Sequence, residues 1–258
     1  MTLPALKEWE TTRDTLHRTA LVLNVLQRAL APQERPFSLQ YSLDVVKDGF
    51  STYALKGAKA RLDLSVPAVR LQFQSGGSLT YALSGSNPAQ LVESLVNAFE
   101  AEGIPLSITN DDTRPFELDS TTARAYSQVL DTMYTILARV RAKIMGYWSP
   151  LVLWAHHFDL SQLWFPEPSQ HDEHNDPQIN LGFSPGDENI PRPYIYLYAW
   201  SKDKGYIHEG ELPEPAFWNP EGYTGVRIDY DALAGRDDAL TAFQEVILAS
   251  YYVLAKRL

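Results

Sequence analysis

The sequence of 258 residues contains no cysteine, which excludes disulfide bonds, thiolate nucleophiles and cysteine-ligated metal sites. It also lacks a long apolar run, because no stretch approaches the roughly 20 residues that a membrane-spanning helix needs. Residues 1–10 have neither the basic start nor the apolar core of a signal peptide. These absences predict a cytoplasmic protein.

Basic residues are in the minority, with 22 Lys and Arg against 32 Asp and Glu and a formal net charge of −10. Proteins that bind nucleic acid gain most of their non-specific affinity by neutralising phosphates with a basic surface. No local cluster of Lys and Arg offsets the acidic total. The composition therefore predicts that neither nucleic acid nor an anionic membrane is a partner, and it leaves the oligomeric state open.

Hydrophobic periodicity predicts an alternation of long helices and short strands. The helical patterns cover residues 7–29, 88–102, 119–144 and 237–256. The strand patterns cover residues 37–45, 60–66, 69–74, 79–83, 151–158, 178–183, 194–200 and 226–230. This order is typical of an α+β fold, in which a mostly antiparallel sheet packs against long helices.

The two halves of the chain repeat one order of elements. In each half a long helix and a proline precede several strands and a final helix. This order predicts one globular domain, 1–258, with two sub-halves, 1–110 and 115–258, that arose by duplication of a helix–strands–helix unit. The alternative is that any α+β chain can be divided in this way. Two irregular stretches, 166–193 and 202–225, are long enough to be functional loops.

The segment Gly182-Phe183-Ser184-Pro185-Gly186 matches the G-x-S-x-G pattern of serine hydrolases. In those enzymes the residue after the serine donates its backbone N–H to the oxyanion hole and opens a helix. Proline has no N–H to donate. The segment is therefore predicted to form a tight turn rather than a nucleophile elbow.

Histidines and carboxylates of the second half offer a metal site. At the end of the strand 151–158, alternation places His157 and Asp159 on one face, where they could ligate a metal or act as an acid/base pair. His171 and His174 follow on an acidic loop, and the four residues together would suit zinc, manganese or iron. The alternatives are a capped strand end and a solvated loop.

Aromatic residues offer a binding pocket instead. Trp9 and His17 lie on one stripe of the first predicted helix, and Tyr196 lies on a strand whose aromatic side chains share one face. The residues predicted to line a small-molecule pocket are Trp9, His17, Trp154, His157, Asp159 and Tyr196. The alternative is that these side chains only fill the core.

Short motifs along nearly the whole chain resemble a bacterial family known only as domain of unknown function 5996. They are Trp9-x-x-Thr12-x-x-Thr15-Leu16-His17, Ala29-Leu30-Ala31-Pro32, Ser149-Pro150, Phe158-Asp159-Leu160, Tyr196-x-Tyr198, Asp229-Tyr230 and Leu240-x-x-Phe243. The resemblance implies one globular unit and no particular activity. Family members carry Trp-Gly-Ser where this chain has Ala155-His156-His157, and a histidine- and glutamate-bearing segment where it has residues 179–183. Trp9, His17 and Asp159 are thus the better-matched positions.

Three functions remain as hypotheses. The first is binding of a small molecule in the aromatic and histidine-lined pocket, with no reaction assigned. The second is a metal-dependent hydrolase that uses His157, Asp159, His171 and His174 with a divalent cation. The third is an interaction module whose irregular loops bind another protein without catalysis. The sequence assigns no catalytic residue and no definite cofactor.

Overall fold

Residues 2–31, 34–167 and 175–258 are described by the computed structural model of the chain. The helices are α1 (Glu10–Leu30), α2 (Pro88–Ala101), α3 (Ser120–Arg141), α4 (Tyr230–Leu233), α5 (Ala239–Ala255) and a 3-10 helix (Pro36–Tyr41). The strands are β1 (Ser42–Val46), β2 (Gly49–Ser51), β3 (Ala58–Asp63), β4 (Ala68–Phe73), β5 (Ser78–Ala82), β6 (Tyr147–Trp148), β7 (Val152–Trp154), β8 (Asp159–Phe165), β9 (Gln178–Ser184), β10 (Tyr194–Ser201), β11 (Gly205–Tyr206), β12 (Phe217–Trp218) and β13 (Val226–Asp229). The predicted α+β class with antiparallel pairing is confirmed.

Two compact units divide the chain. The N-terminal unit comprises Leu6–Leu130 and Leu153–Phe158, and the C-terminal unit comprises Met1–Ala5, Asp131–Val152 and Asp159–Leu258. Among the described residues, no helix is both long and apolar enough to cross a membrane. The predicted duplication and its two halves stay predictions.

The sheet of the N-terminal unit runs in the order β7-β1-β2-β3-β4-β5, and every neighbouring pair is antiparallel. Helix α1 packs against this sheet and against α2. Its apolar residues Leu16, Ala20 and Leu23 are fully buried, because spacings of three and four residues bring them onto one face. Helix α1 ends at Leu30, and Ala31 is extended, as expected of a residue that precedes a proline.

The start of α2 follows from local chemistry. The side chain of Asn87 accepts a hydrogen bond from the backbone N–H of Gln90 at 2.9 Å, so it satisfies one of the free donors of the first turn. Pro88 occupies the first helical position, where a missing N–H costs nothing. The helix predicted over residues 88–102 is confirmed.

The predicted strand over residues 37–45 is wrong in its first half, where the chain forms the 3-10 helix. Phe37 and Ser38 adopt positive φ angles of 58° and 55°. The amide groups of Asn24 and Gln27 on α1 donate to the backbone carbonyl of Gln40 at 3.3 and 3.2 Å. Side chains of α1 thus bind a carbonyl of this segment, and strand pairing begins only at Ser42.

The sheet of the C-terminal unit runs in the order β12-β13-β10-β9-β8, with β11 paired to β10 and β6 paired to β8. On one face, Phe183 approaches Tyr230, which stacks on Phe243 of α5, with ring centroids 6.3 and 6.0 Å apart. Leu197 and Ile195 of β10 share this apolar face and are fully buried. The opposite face of the same strands carries the polar and tyrosine side chains described below.

Candidate functional site

The predicted strand over residues 151–158 is interrupted, which overturns the argument that placed His157 and Asp159 on one strand face. Strand β7 ends at Trp154, whose carbonyl accepts hydrogen bonds from the backbone N–H groups of His157 and Phe158 at 3.2 and 2.8 Å. Phe158 has a φ of 57°. A turn therefore separates the two residues, and β8 begins at Asp159.

The six predicted pocket residues fall into two groups. Trp9, His17, Trp154 and His157 belong to the N-terminal unit, whereas Asp159 and Tyr196 belong to the C-terminal unit. The metal candidates His171 and His174 lie outside the described residues. Among the residues that the structure does describe, no three His, Asp or Glu side chains are arranged to hold a metal ion.

In the N-terminal unit, Trp9 and His17 contribute to one aromatic cluster. Trp9 is fully buried, and its ring centroid lies 4.8 Å from that of Tyr126. The rings of Tyr126 and Phe158 are 5.9 Å apart, and His17 stacks on Phe158 at 5.3 Å with an interplanar angle of 14°. The predicted stripe of α1 is thus packed against aromatic side chains.

His17 contributes a titratable imidazole to this aromatic cluster. Burial lowers its pKa, and the nearby backbone groups of Ala155 and His156 oppose this shift. Its ring atom Nε2 is buried and bonds no residue that the structure describes. A neutral imidazole with such a nitrogen can accept a hydrogen bond or a proton.

His156 and His157 are exposed at the turn, and their ring centroids are 4.2 Å apart. The ring of Trp154 meets His156 edge-on at 6.1 Å. Burial lowers the pKa of His156, and the neighbouring His157 and His17 lower it further. The lowered pKa of His156 favours its neutral form at physiological pH.

In the C-terminal unit, the hydroxyl of Tyr196 donates a hydrogen bond to the carboxylate of Asp159. Both residues are only 8% exposed, so the carboxylate lies in an environment that water reaches poorly. Gly182 stands opposite Tyr196 in the β9–β10 register and leaves space for its ring. The structure thus joins two of the predicted residues directly, and Gly182 is a contributor that the sequence did not reveal.

Tyr196 belongs to a larger set of side chains on one sheet face, which we call the tyrosine face. It comprises Asp159, Ser161, Asn180, Ser184, Tyr194, Tyr196, Tyr198 and Tyr223. The rings of Tyr194 and Tyr198 lie 6.2 and 6.0 Å from that of Tyr196. Tyr223 stacks on Tyr194 at 6.1 Å. The predicted alternation of aromatic side chains along β10 is confirmed.

Polar partners bind the hydroxyl groups of this face. The amide of Asn180 donates to the hydroxyl of Tyr198 at 2.7 Å. The nearby side chains of Ser161 and Ser184 lower the pKa of Tyr196 and of Tyr194, respectively, against the larger effect of burial. Ser184 is the serine of the hydrolase-like pattern; β9 ends there, and none of residues 185–193, all described, is helical. The predicted tight turn is therefore wrong, because residues 182–184 extend strand β9 and residues 185 and 186 continue as irregular chain. The absence of a helix after the serine agrees with the prediction that the segment is not a nucleophile elbow.

Burial favours the protonated form of the tyrosine hydroxyls on this face. It raises the pKa of Tyr196 well above the ordinary value, and the negative charge of Asp159 adds to this shift. Burial also raises the pKa of Tyr194 and that of Tyr223. These hydroxyls therefore remain protonated at physiological pH and act as hydrogen-bond donors as well as acceptors.

Comparison with known proteins gives a family but no activity. No curated protein and no solved structure matches the chain. The family resemblance that runs from Trp9 to Phe243 is confirmed. The chain belongs to a family of unknown function, DUF5996, whose model matches residues 2–258.

Proposed function

We propose that the chain binds a small polar molecule on the tyrosine face of the C-terminal unit. The observation that carries the proposal is the buried hydrogen bond between Tyr196 and Asp159. Removing a carboxylate from water is costly, and an apolar filling of this position would be cheaper for stability alone. We interpret the pair as the polar floor of a binding site.

The chemistry of the surrounding side chains supports this role. Tyrosine rings provide flat apolar surface, and their hydroxyls provide directed hydrogen bonds at little cost in conformational entropy. Tyr198 and Tyr223 are only partly buried, which gives a ligand an approach to the face. Ligand sites commonly combine apolar walls with a few converging polar groups. A ring-containing metabolite with polar substituents fits this description.

The other predicted residues stay predictions. Four of them lie in the N-terminal unit: Trp9, His17, Trp154 and His157. We propose that these four bind a ligand only within that unit. Among the described residues, no contact favours a metal-dependent hydrolase or a protein-interaction module over a protein that binds a small molecule.

A thermal-shift screen of ring-containing metabolites tests the proposal. A ligand present at about 100 times its Kd should stabilise the folded chain by about 2.7 kcal/mol. Tyr196→Phe and Asp159→Asn should abolish the shift. Tyr252→Phe is the matched control, since Tyr252 lies in the same unit on helix α5 and is 47% exposed.

Two outcomes would overturn the proposal. One is a screen in which no compound stabilises the wild-type chain. The other is a ligand whose binding survives both substitutions. Should either variant fail to fold, hydrogen exchange on the wild-type chain decides the matter, because a ligand on this face must protect the peptides that cover β8, β9 and β10.

A further inference from the structure

Arg227 lies on the tyrosine face, although the sequence patterns did not single it out. In the β10–β13 register it stands opposite Tyr196, and in the β12–β13 register it stands opposite Phe217. Its guanidinium carbon is 5.4 Å from the ring centroid of Tyr194 and 5.5 Å from that of Phe217. Its positive charge lowers the pKa of Tyr194 and of Tyr223 against the larger effect of burial.

The hydrogen bonding of Arg227 is incomplete. Its Nε donates to Asp229 at 2.6 Å, whereas its Nη groups bond no residue that the structure describes. The side chain is 19% exposed, so it lies mostly under protein and keeps an opening to solvent. Asp229 fixes the orientation of the guanidinium without occupying its outer N–H groups.

Other arginine–aspartate pairs of this chain show what a closed ion pair looks like. Arg114, Arg192 and Arg236 each bind one aspartate through both Nε and Nη2, at 2.7 to 2.9 Å. Such side-on pairs use the guanidinium fork fully. Arg227 uses only its Nε on Asp229, so both of its Nη groups remain available, and its guanidinium carbon lies within 5.5 Å of two aromatic ring centroids.

We propose that the ligand of the tyrosine face carries an oxyanion, a carboxylate or a phosphate, which Arg227 binds through its Nη groups. This inference rests on the proposed function. An oxyanion matches the spacing of the free N–H groups, and arginine is the residue best suited to bind it bidentately. The ligand is then an aromatic or otherwise flat acid, with its ring among the tyrosines and its anionic group on Arg227.

Three probes test the charge requirement by titration calorimetry: 4-hydroxybenzoate, phenyl phosphate and the neutral 4-hydroxybenzamide. We expect at least one anionic probe to bind the wild-type chain more tightly than the amide does. The probe that binds better distinguishes a carboxylate from a phosphate. If the anionic probes bind no better than the amide, or do not bind at millimolar concentration, the oxyanion inference is wrong.

Substitutions assign the effect to the guanidinium. Arg227→Gln should weaken anion binding by about tenfold or more and leave binding of the amide unchanged. Arg227→Lys keeps the charge but loses the fork and should give an intermediate affinity. Arg192→Gln is the matched control, because it removes one positive charge from the same unit outside this face. An equal loss of anion affinity in the Arg192→Gln variant would show that the effect comes from the net charge of the chain, and it would overturn the inference.

Different experimental results would contradict the binding site and its specificity for anions. Neutral ligands that bind and depend on Tyr196, without any preference for anions, would leave the binding site intact and remove its anion specificity. Anion binding that is lost in Arg227→Gln but unaffected by Tyr196→Phe would place the oxyanion on Arg227 away from the floor of the face, and would contradict the shared site. Melting temperatures of the variants establish that each is folded.

Discussion

A methyl group built on Gly182 would lie 2.2 Å from Cζ of Tyr196 and 2.3 Å from its hydroxyl oxygen. These distances are far below van der Waals contact, so any side chain at position 182 displaces the tyrosine ring. The hydrogen bond from Tyr196 to Asp159 therefore depends on a glycine in the neighbouring strand. The position of the Tyr196 ring therefore requires glycine at position 182.

Gly182→Ala should destabilise the chain by about 1–3 kcal/mol, the usual cost of overpacking a filled interior. Urea unfolding measures the loss. Gly235→Ala is the control, because a methyl group there meets no atom within 4 Å. Similar losses in the two variants would show that the space beside Tyr196 is not restricted.

Gln27→Leu should cost about 2 kcal/mol or more, because it removes the partners of several buried backbone groups. The amide of Gln27 donates to the carbonyl of Ser42 at 2.7 Å and accepts from the N–H of Tyr53 at 2.7 Å. The side chain is fully buried.

Gln72→Leu provides the comparison for Gln27, since exposed Gln72 also donates to a backbone carbonyl, that of Gly77, at 3.1 Å. Water can replace its bond, so little stability should be lost. Chemical denaturation of the two variants decides whether burial sets the cost; equal losses would argue against it.

Acidification should destabilise the chain through His17. Its pKa in the folded state is below the ordinary 6.5, so the unfolded chain binds more protons, and stability falls as the pH drops below about 6.5. The charge of Asp14 opposes the lowered pKa and that of Arg13 adds to it. His17→Gln should reduce this loss, as measured by unfolding at about pH 7.5 and about pH 5.5.

His156, whose pKa is lowered in the same direction, should leave part of the acid sensitivity in the His17 variant. Exposed His208 supplies the control substitution, His208→Gln. An unchanged pH dependence in the His17 variant would mean that burial of its imidazole does not affect stability.

Alkali should destabilise the chain through the tyrosine face. Burial raises the pKa of Tyr194 and Tyr196 above the ordinary value of 10.0, so the folded chain retains protons that the unfolded chain loses. Stability is then present in full below about pH 10 and declines above it. Tyr196→Phe should flatten the decline between about pH 8 and about pH 11 relative to the wild-type chain. Unfolding midpoints across this range test the difference.

Elements specified by neighbouring residues were predictable from sequence. Asn87 and Pro88 mark the start of α2 because a cap and an N-terminal proline act within one turn. The alternation of β10 was equally plain, and it predicted the shared face of Tyr194 and Tyr196. Such features depend on contacts only a few positions apart.

Features set by distant contacts were not predictable. Residues 37–41 alternate like a strand, yet Asn24 and Gln27 bind the carbonyl of Gln40 from another element. The turn at 155–158 interrupts an apolar run, and alternation therefore misplaced His157 relative to Asp159. Gly182 and Arg227 belong to the tyrosine face only because strand register brings them opposite Tyr196, and nothing local to either residue indicates it.

The divided N-terminal unit has a consequence for synthesis. Strand β1 pairs on one side with β2 and on the other with β7, whose Leu153 and Trp154 stand opposite Leu43 and Ser42. While the ribosome has released only residues up to Leu130, that second edge of β1 has no partner strand, and Phe158 has not yet reached the ring of His17. A nascent chain at this stage exposes a sheet edge of the kind that promotes aggregation. Pausing before residue 158 emerges should therefore be hazardous, and a fragment that stops at Leu130 should be recovered poorly.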